Sequence, residues 1–124
     1  MSNAYKFDNE TGLYFTTSTV ISWIDVFTRD VYRNILIDSL QYCQQNKGLE
    51  IFAWVLMTNH FHLIARATSG NKLEHIFRDL KKITSSKIIK SIIENPSESR
   101  KEWMLAIFED FGKKNQNNTR YQFW

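Results

Sequence analysis

Two apolar segments separated by only two residues constrain this chain more than any other feature. Residues 50–57, Glu-Ile-Phe-Ala-Trp-Val-Leu-Met, form a nearly continuous apolar run, and residues 60–67, His-Phe-His-Leu-Ile-Ala-Arg-Ala, form a second. Each has the length and the β-branched and aromatic content of a strand. Thr58-Asn59 alone joins them, so the pair reads as an antiparallel hairpin with a tight connection.

The elements around the hairpin follow from local signals. Residues 13–21, Leu-Tyr-Phe-Thr-Thr-Ser-Thr-Val-Ile, are aromatic and β-branched with few charges, and read as a strand. Thr28 is expected to cap a helix with Asp30 in its first turn. Its apolar face is Val31, Ile35, Leu36, Leu40 and Cys43, and Asn46-Lys47-Gly48 ends it. A second helix covers about 71–93, with Leu73, Ile76, Phe77, Leu80 and Ile83 at helical spacing. Its stripe drifts at Thr84-Ser85-Ser86, which reads as a bend. Asn95-Pro96-Ser97 breaks the chain, because the residue before a proline resists the helical region. A third helix, about 98–111, places Trp103, Ile107, Phe108 and Phe111 on one face, with Gly112 behind it.

Lys113 to Thr119 is polar and reads as a loop, whereas Arg120-Tyr-Gln-Phe-Trp124 is apolar again and wants a partner layer. Those aromatics either pack back onto the core or mark a chain that stops early, and the early stop is the expectation taken here. Strand, helix, strand-turn-strand, helix is an α+β order. It is the start of a split β-α-β, ferredoxin-like layout, an antiparallel sheet with helices on one face and the other face open.

Composition narrows the classes. A chain of 124 residues has room for one core, so residues 1–124 are read as a single domain. With 43% hydrophobic residues, four Gly and one Pro, it is neither disordered nor a low-complexity repeat. One cysteine, Cys43, excludes an internal disulfide framework and a multi-cysteine zinc site, and it reads as a small core residue. No apolar run approaches the roughly 18–20 residues of a membrane helix. The opening Met1-Ser-Asn-Ala-Tyr-Lys-Phe-Asp lacks the apolar stretch of a secretory signal, so a soluble, cytoplasmic protein is expected.

The chemistry concentrates in the second hairpin strand. Residues two apart on a strand project from one face, so His60 and His62 stand side by side while Phe61 and Leu63 point the other way. Two imidazoles so spaced can hold one divalent ion. They are too few for a closed structural zinc site, and leave positions open for polarising a phosphoryl oxygen. Equally, they can be a hydrogen-bonded, half-exposed pair without metal. Asn59, just before them, could orient a ligand or accept a strained turn backbone, and the second is the reading taken. His75, early in the next helix, is read as a surface residue.

Charge is weakly informative overall, at +3, but unevenly placed. Six cations, Lys72, Arg78, Lys81, Lys82, Lys87 and Lys90, face only Glu74 and Asp79 in that stretch. Arg78 and Lys82, one turn apart with Lys81 flanking, suit a phosphate backbone; the alternative is an ordinary solvated helix face.

The run Trp54-Val-Leu-Met-Thr-Asn-His-Phe-His-Leu-Ile resembles the His-hydrophobic-His (HUH) signature of the single-tyrosine transposases, in particular the REP-associated tyrosine transposases. Thr58 stands where that family usually has proline. Tyr14-Phe-Thr-Thr-Ser-Thr-Val and the basic stretch Phe77-Arg-Asp-Leu-Lys-Lys-Ile-Thr-Ser-Ser-Lys-Ile are also similar to it, and Arg120 to Trp124 looks like its Phe-Trp segment. The resemblance implies an HUH-type nuclease fold acting on single-stranded, hairpin-forming DNA. It implies Mg²⁺ or Mn²⁺ held by His60, His62 and a third polar ligand, and a tyrosine that forms a 5′-phosphotyrosine link. It tips Arg78, Lys81, Lys82 and Lys87 towards DNA contact. The family's nucleophile follows the Phe-Trp segment, so its expected place lies past Trp124. None of Tyr5, Tyr14, Tyr32, Tyr42 and Tyr121 fits that place well: Tyr121 is nearest in order but precedes Phe123-Trp124, and the reading taken for it is an aromatic packed against the last helix. A chain truncated before the nucleophile and one that has lost cleavage both stay open. So do two rival functions: a non-catalytic single-stranded nucleic-acid-binding module, and an interaction domain whose terminal aromatics bury against a partner. No membrane partner is expected, and a homodimer through a sheet edge or those aromatics is left open.

Overall fold

The computed structural model describes residues 12–68, 70–115 and 120–124. Tyr5 and residues 116–119 of the expected polar loop lie outside the described residues. The order is β1 (Tyr14–Thr19), α1 (Asp30–Asn46), β2 (Leu49–Leu56), β3 (His60–Ala67), α2 (Leu73–Glu94) and α3 (Lys101–Lys114). Short 3-10 turns at Ile21–Trp23 and Val26–Thr28 lie between β1 and α1.

β3 is the central strand. It pairs antiparallel with both neighbours in the sheet order β1-β3-β2, so β1 and β2 run parallel with β3 inserted between them. That is the split β-α-β layout expected from the sequence. Along β3, Phe61, Leu63, Ala65 and Ala67 are buried while the residues between them are not. The buried set shares one core with Leu36, Leu40 and Cys43 of α1, Leu73, Ile76, Leu80 and Ile88 of α2, and Met104 and Phe108 of α3. All three helices therefore pack on one face of the sheet, and the other face is open.

The hairpin turn is tight, with the Met57 amide donating to the His60 carbonyl, 2.9 Å. Neither Thr58 nor Asn59 has positive φ, so the connection is not one of the mirror-image turns that two-residue hairpins favour. The loop after β1 holds it instead. Val20 donates its amide to the Asn59 carbonyl (2.9 Å), Phe27 donates to the Thr58 carbonyl (2.8 Å), and the Thr58 hydroxyl bonds Asp25 (2.8 Å). The strained backbone lies in that loop, at Ser22 and Trp23, both with φ 57°. Asn59 thus does not serve the turn by accepting a left-handed backbone; long-range hydrogen bonds remove the need for one.

Other local signals resolve differently from expectation. Thr28 closes a 3-10 turn and donates its hydroxyl to Asp25 O (3.0 Å), so it does not cap α1, which starts after an extended Arg29. α1 ends as expected, at Lys47 followed by Gly48 with φ 79°, where a Cβ would overlap the side chains of Asn71 and Thr68. β2 contains a bulge at Phe52, between Ile51, opposite Ala65, and Ala53, opposite Ile64. α2 runs unbroken through Thr84, whose buried hydroxyl bonds back to the Leu80 carbonyl (2.8 Å).

α3 begins three residues later than expected and turns Met104, Phe108 and Gly112 inward, leaving Trp103 exposed. Gly112 is not a terminator but a buried helical residue. Its missing Cβ makes room for the Arg120–Tyr121 backbone.

The terminal aromatics pack back onto the core. Phe123 is fully buried beside Phe27 and Phe108. Trp124 meets Phe27 and Phe61, and its indole N–H donates to the Thr84 hydroxyl, 2.9 Å. Backbone bonds from Ile21 N to Phe123 O (2.9 Å) and from Gln122 N to Phe108 O (3.0 Å) fix the segment.

Candidate functional site

The open face of the sheet is built by the alternate residues of three strands. β3 presents His60, His62, Ile64 and Arg66; β1 presents Thr17 opposite His62 and Phe15 opposite Ile64; β2 presents Val55 opposite His62 and Ala53 opposite Ile64. The bulge turns Phe52 to this face as well, where the Arg66 guanidinium lies 5.3 Å from its ring centre. Arg66 also pairs with Glu50 at 2.6 Å.

The histidines lie together as the strand period requires. Their ring centres are 4.8 Å apart with planes at 76°, and both are half-buried. His62 stacks on Phe15 at 5.2 Å, and its Nδ1 is 2.8 Å from the Thr17 hydroxyl. His60 Nδ1 is 2.7 Å from Asn59 Oδ1. Each ring therefore has Nδ1 engaged within the protein, leaving Nε2 as the nitrogen available to a ligand. A hydrogen bond on the second ring nitrogen is the usual support of a metal-bound imidazole. No group of three or more His, Cys, Asp or Glu that could hold a metal occurs among the described residues. The pair thus fits an open site in which water and a substrate oxygen complete the shell, and not a closed structural one.

The other expected residues sit elsewhere. Arg78, Lys81, Lys82 and Lys87 are on α2, in the helical layer behind the sheet, so the sheet separates them from the histidines. Arg78 contacts Asp79 (3.3 Å), which also receives Lys47 (3.6 Å). Lys82 and Lys87 are exposed. Lys81 is half-buried, and desolvation lowers its ammonium pKa. His75 is exposed on the same helix.

Tyr121 is half-buried in the terminal segment, with the Arg120 guanidinium 5.0 Å from its ring centre and Arg120 itself paired to Glu109. The Tyr32 hydroxyl is committed to the core: it donates to Glu98 at 2.9 Å, and burial raises its pKa.

Sequence reasoning overlooked Phe15 and Thr17, although the alternation of β1 would have placed them on the histidine face. Asn59, expected to accept a strained turn backbone, has no positive φ; its side chain bonds His60 and the Trp23 carbonyl instead. Nothing in the sequence marked Trp23, whose carbonyl accepts the Asn59 side-chain amide at 3.2 Å.

No helix among the described residues is long and apolar enough to cross a membrane. Comparison with known proteins adds the following. The family model "transposase IS200 like" matches residues 18–110, three quarters of the chain. A REP-associated tyrosine transposase solved bound to a REP hairpin matches at 22% identity and a TM-score of 0.59, over 70% of this chain and 53% of that one. The chain thus spans about half the length of that relative. A crystal structure of a transposase candidate from Deinococcus radiodurans R1 matches at 19% identity and a TM-score of 0.57, over 96% of this chain and 98% of that one. At such identities the two structures bear on the fold. No curated protein matches.

Proposed function

Because the chain belongs to the IS200-like transposase family, we propose that it binds single-stranded, hairpin-forming DNA with its open sheet face across a scissile phosphate. The observation that carries this reading is the pair of imidazoles with both Nδ1 atoms engaged inside the protein and both Nε2 atoms available. His60 and His62 would hold Mg²⁺ or Mn²⁺, which when bound withdraws charge from a phosphoryl oxygen. Phe15, stacked on His62 and 67% exposed, and Phe52, 57% exposed, offer ring faces to unpaired bases. Arg78, Lys81, Lys82 and Lys87 would contact the phosphate backbone, so a bound strand must pass around a sheet edge to reach both layers.

In its complete form the reaction is cleavage and rejoining. A tyrosine oxygen bonds to phosphorus as the bond to the 3′ oxygen breaks, leaving a 5′-phosphotyrosine link and a free 3′-hydroxyl. The phenol, with an ordinary pKa near 10, gives up its proton in that step. Tyr121, the nearest tyrosine in order, packs against the core beside Gly112 of α3, on the helix side of the sheet, and so does not face His60 and His62. The β2 edge of the sheet, which carries exposed Trp54, is where a homodimer would pair. The cellular setting would be cytoplasmic and nucleoid-associated.

A non-catalytic single-strand-binding module is the second reading, favoured by the exposed aromatics alone. Binding of labelled hairpin-forming single strands and matched duplex, with Mn²⁺ and then chelator, separates the two. The first reading expects preference for the hairpin single strand, and loss of Mn²⁺ binding in the His60→Ala, His62→Ala double variant with little change in melting. Binding that survives both chelation and that double variant would establish the second. Removing Lys82 and Lys87 should lower the salt slope by roughly 0.7 per lost contact and leave Mn²⁺ binding intact.

A further inference from the structure

We propose that Asn59 is a positioning residue that fixes the tautomer of His60, and does so because its own amide is anchored on the strained Trp23 loop. The inference rests on the reading of His60 as a ligand-bearing residue, and names what prepares it. The Asn59 side chain is oriented without ambiguity. Its Nδ2 lies 3.2 Å from the Trp23 carbonyl, which can only accept, so Nδ2 is the donor there and Oδ1 faces His60. That Oδ1, 2.7 Å from His60 Nδ1, can in turn only accept. Nδ1 therefore carries the hydrogen, and in the neutral ring Nε2 keeps its lone pair on the open face. A divalent ion or the proton of an attacking group needs that lone pair.

His62 provides the contrast. Its Nδ1 meets the Thr17 hydroxyl at 2.8 Å, and a hydroxyl can donate or accept, so nothing on that side selects a tautomer. Of two neighbouring imidazoles, one is pre-set and the other is adjustable.

The anchor is itself unusual. Trp23 and Ser22 both hold φ of 57°, in the left-handed region that a bulky residue rarely adopts, and the Trp23 side chain is 69% exposed. The Val20 and Phe27 amides on either side of this loop bond the Asn59 and Thr58 carbonyls, at 2.9 and 2.8 Å. With the Thr58 hydroxyl on Asp25 (2.8 Å), these bonds pin the loop against the turn independently of the Asn59 side chain, and the strained carbonyl stays where Asn59 needs it.

The test is long-range ¹H–¹⁵N correlation NMR of the protein without metal or DNA, at a pH where imidazoles are neutral. The chain has three histidines, so exposed His75 serves as the internal reference. Wild type should show His60 as the Nδ1–H tautomer, with Nε2 at the chemical shift of a bare ring nitrogen. Asn59→Ala should move His60 towards the Nε2–H form that exposed imidazoles prefer, while His75 is unchanged. Asn59→Asp keeps an acceptor for Nδ1 but loses the amide donated to the Trp23 carbonyl, so it should hold the wild-type tautomer only in part, between wild type and Asn59→Ala. Mn²⁺ affinity should fall about 10- to 100-fold in Asn59→Ala, the range for loss of a ligand's supporting hydrogen bond.

An Nε2–H His60 in wild type would overturn the proposal whatever the variants do. So would an unchanged tautomer in Asn59→Ala. Because the spectrum needs no metal, failure of the DNA and metal reading would appear separately, as a wild-type protein with the expected tautomer that binds no Mn²⁺.

Discussion

Glu98 is the most exacting test of how this fold is held. Its carboxylate has no solvent exposure, and five donors reach it: Arg29 Nε (2.8 Å), Arg100 Nε (2.9 Å), Arg100 Nη2 (3.0 Å), the Arg100 backbone amide (3.0 Å) and the Tyr32 hydroxyl (2.9 Å). Burial pushes its pKa up, but the Arg100, Arg29 and Tyr32 hydrogen bonds together outweigh it and hold the group down to about 2, against an ordinary 4.5. A depression of that size corresponds to about 3 kcal/mol. The folded pKa lies below the unfolded one, so this stability is fully present above about pH 5 and is lost as pH falls from there towards 2. Glu98→Gln keeps the shape but turns an amide N–H₂ towards donors, and should cost about 3 kcal/mol at pH 7. For a slope of about 2 kcal/mol/M that is a drop of about 1.5 M in the urea midpoint. Urea unfolding of both proteins at pH 7, 5, 4 and 3, followed by tryptophan fluorescence, gives the difference at each pH. It should be constant at pH 7 and 5 and shrink by pH 3. A gap below about 0.5 kcal/mol at pH 7, or one that does not shrink on acidification, refutes the assignment.

Two further outcomes follow from the core. Phe123→Ala removes a ring enclosed by Phe27, Phe108 and Trp124 and should cost about 3–5 kcal/mol in the same unfolding assay; a loss under 1 kcal/mol would mean the terminal segment is not part of the core. Cys43 is fully buried, and burial raises its thiol pKa, so a disulfide reagent should label it in denaturant and not in the native protein at pH 8. Rapid native labelling would place that face of α1 in solvent.

The legible parts of the chain were those governed by a short period. Alternation in 60–67 placed both the core residues Phe61 and Leu63 and the histidine pair, because a strand has only two faces. The basic residues of α2 were legible as a helix face, and the split β-α-β order put that helix behind the sheet; spacing along one helix could not show that Lys81 is half-buried and Arg78 turned onto Asp79. Signals that depend on remote partners misled. Thr28 looked like a cap, yet its hydroxyl goes back to Asp25; Gly112 looked like a stop, yet it makes room for Arg120 and Tyr121. Asn59 was read as a turn residue because the loop that holds the turn, with its positive φ at Ser22 and Trp23, has no local sequence signature.

The alternation along β3 has an evolutionary consequence. Packing rests on Phe61, Leu63, Ala65 and Ala67, while the proposed chemistry would rest on His60 and His62, and the two sets share one strand without sharing a face. Replacing an open-face residue empties no cavity, so descendants can drift, retune the chemistry or abandon it altogether while the scaffold survives intact. A lineage built this way can leave behind well-folded relatives that keep the surface for a nucleic acid long after the reaction on it has gone.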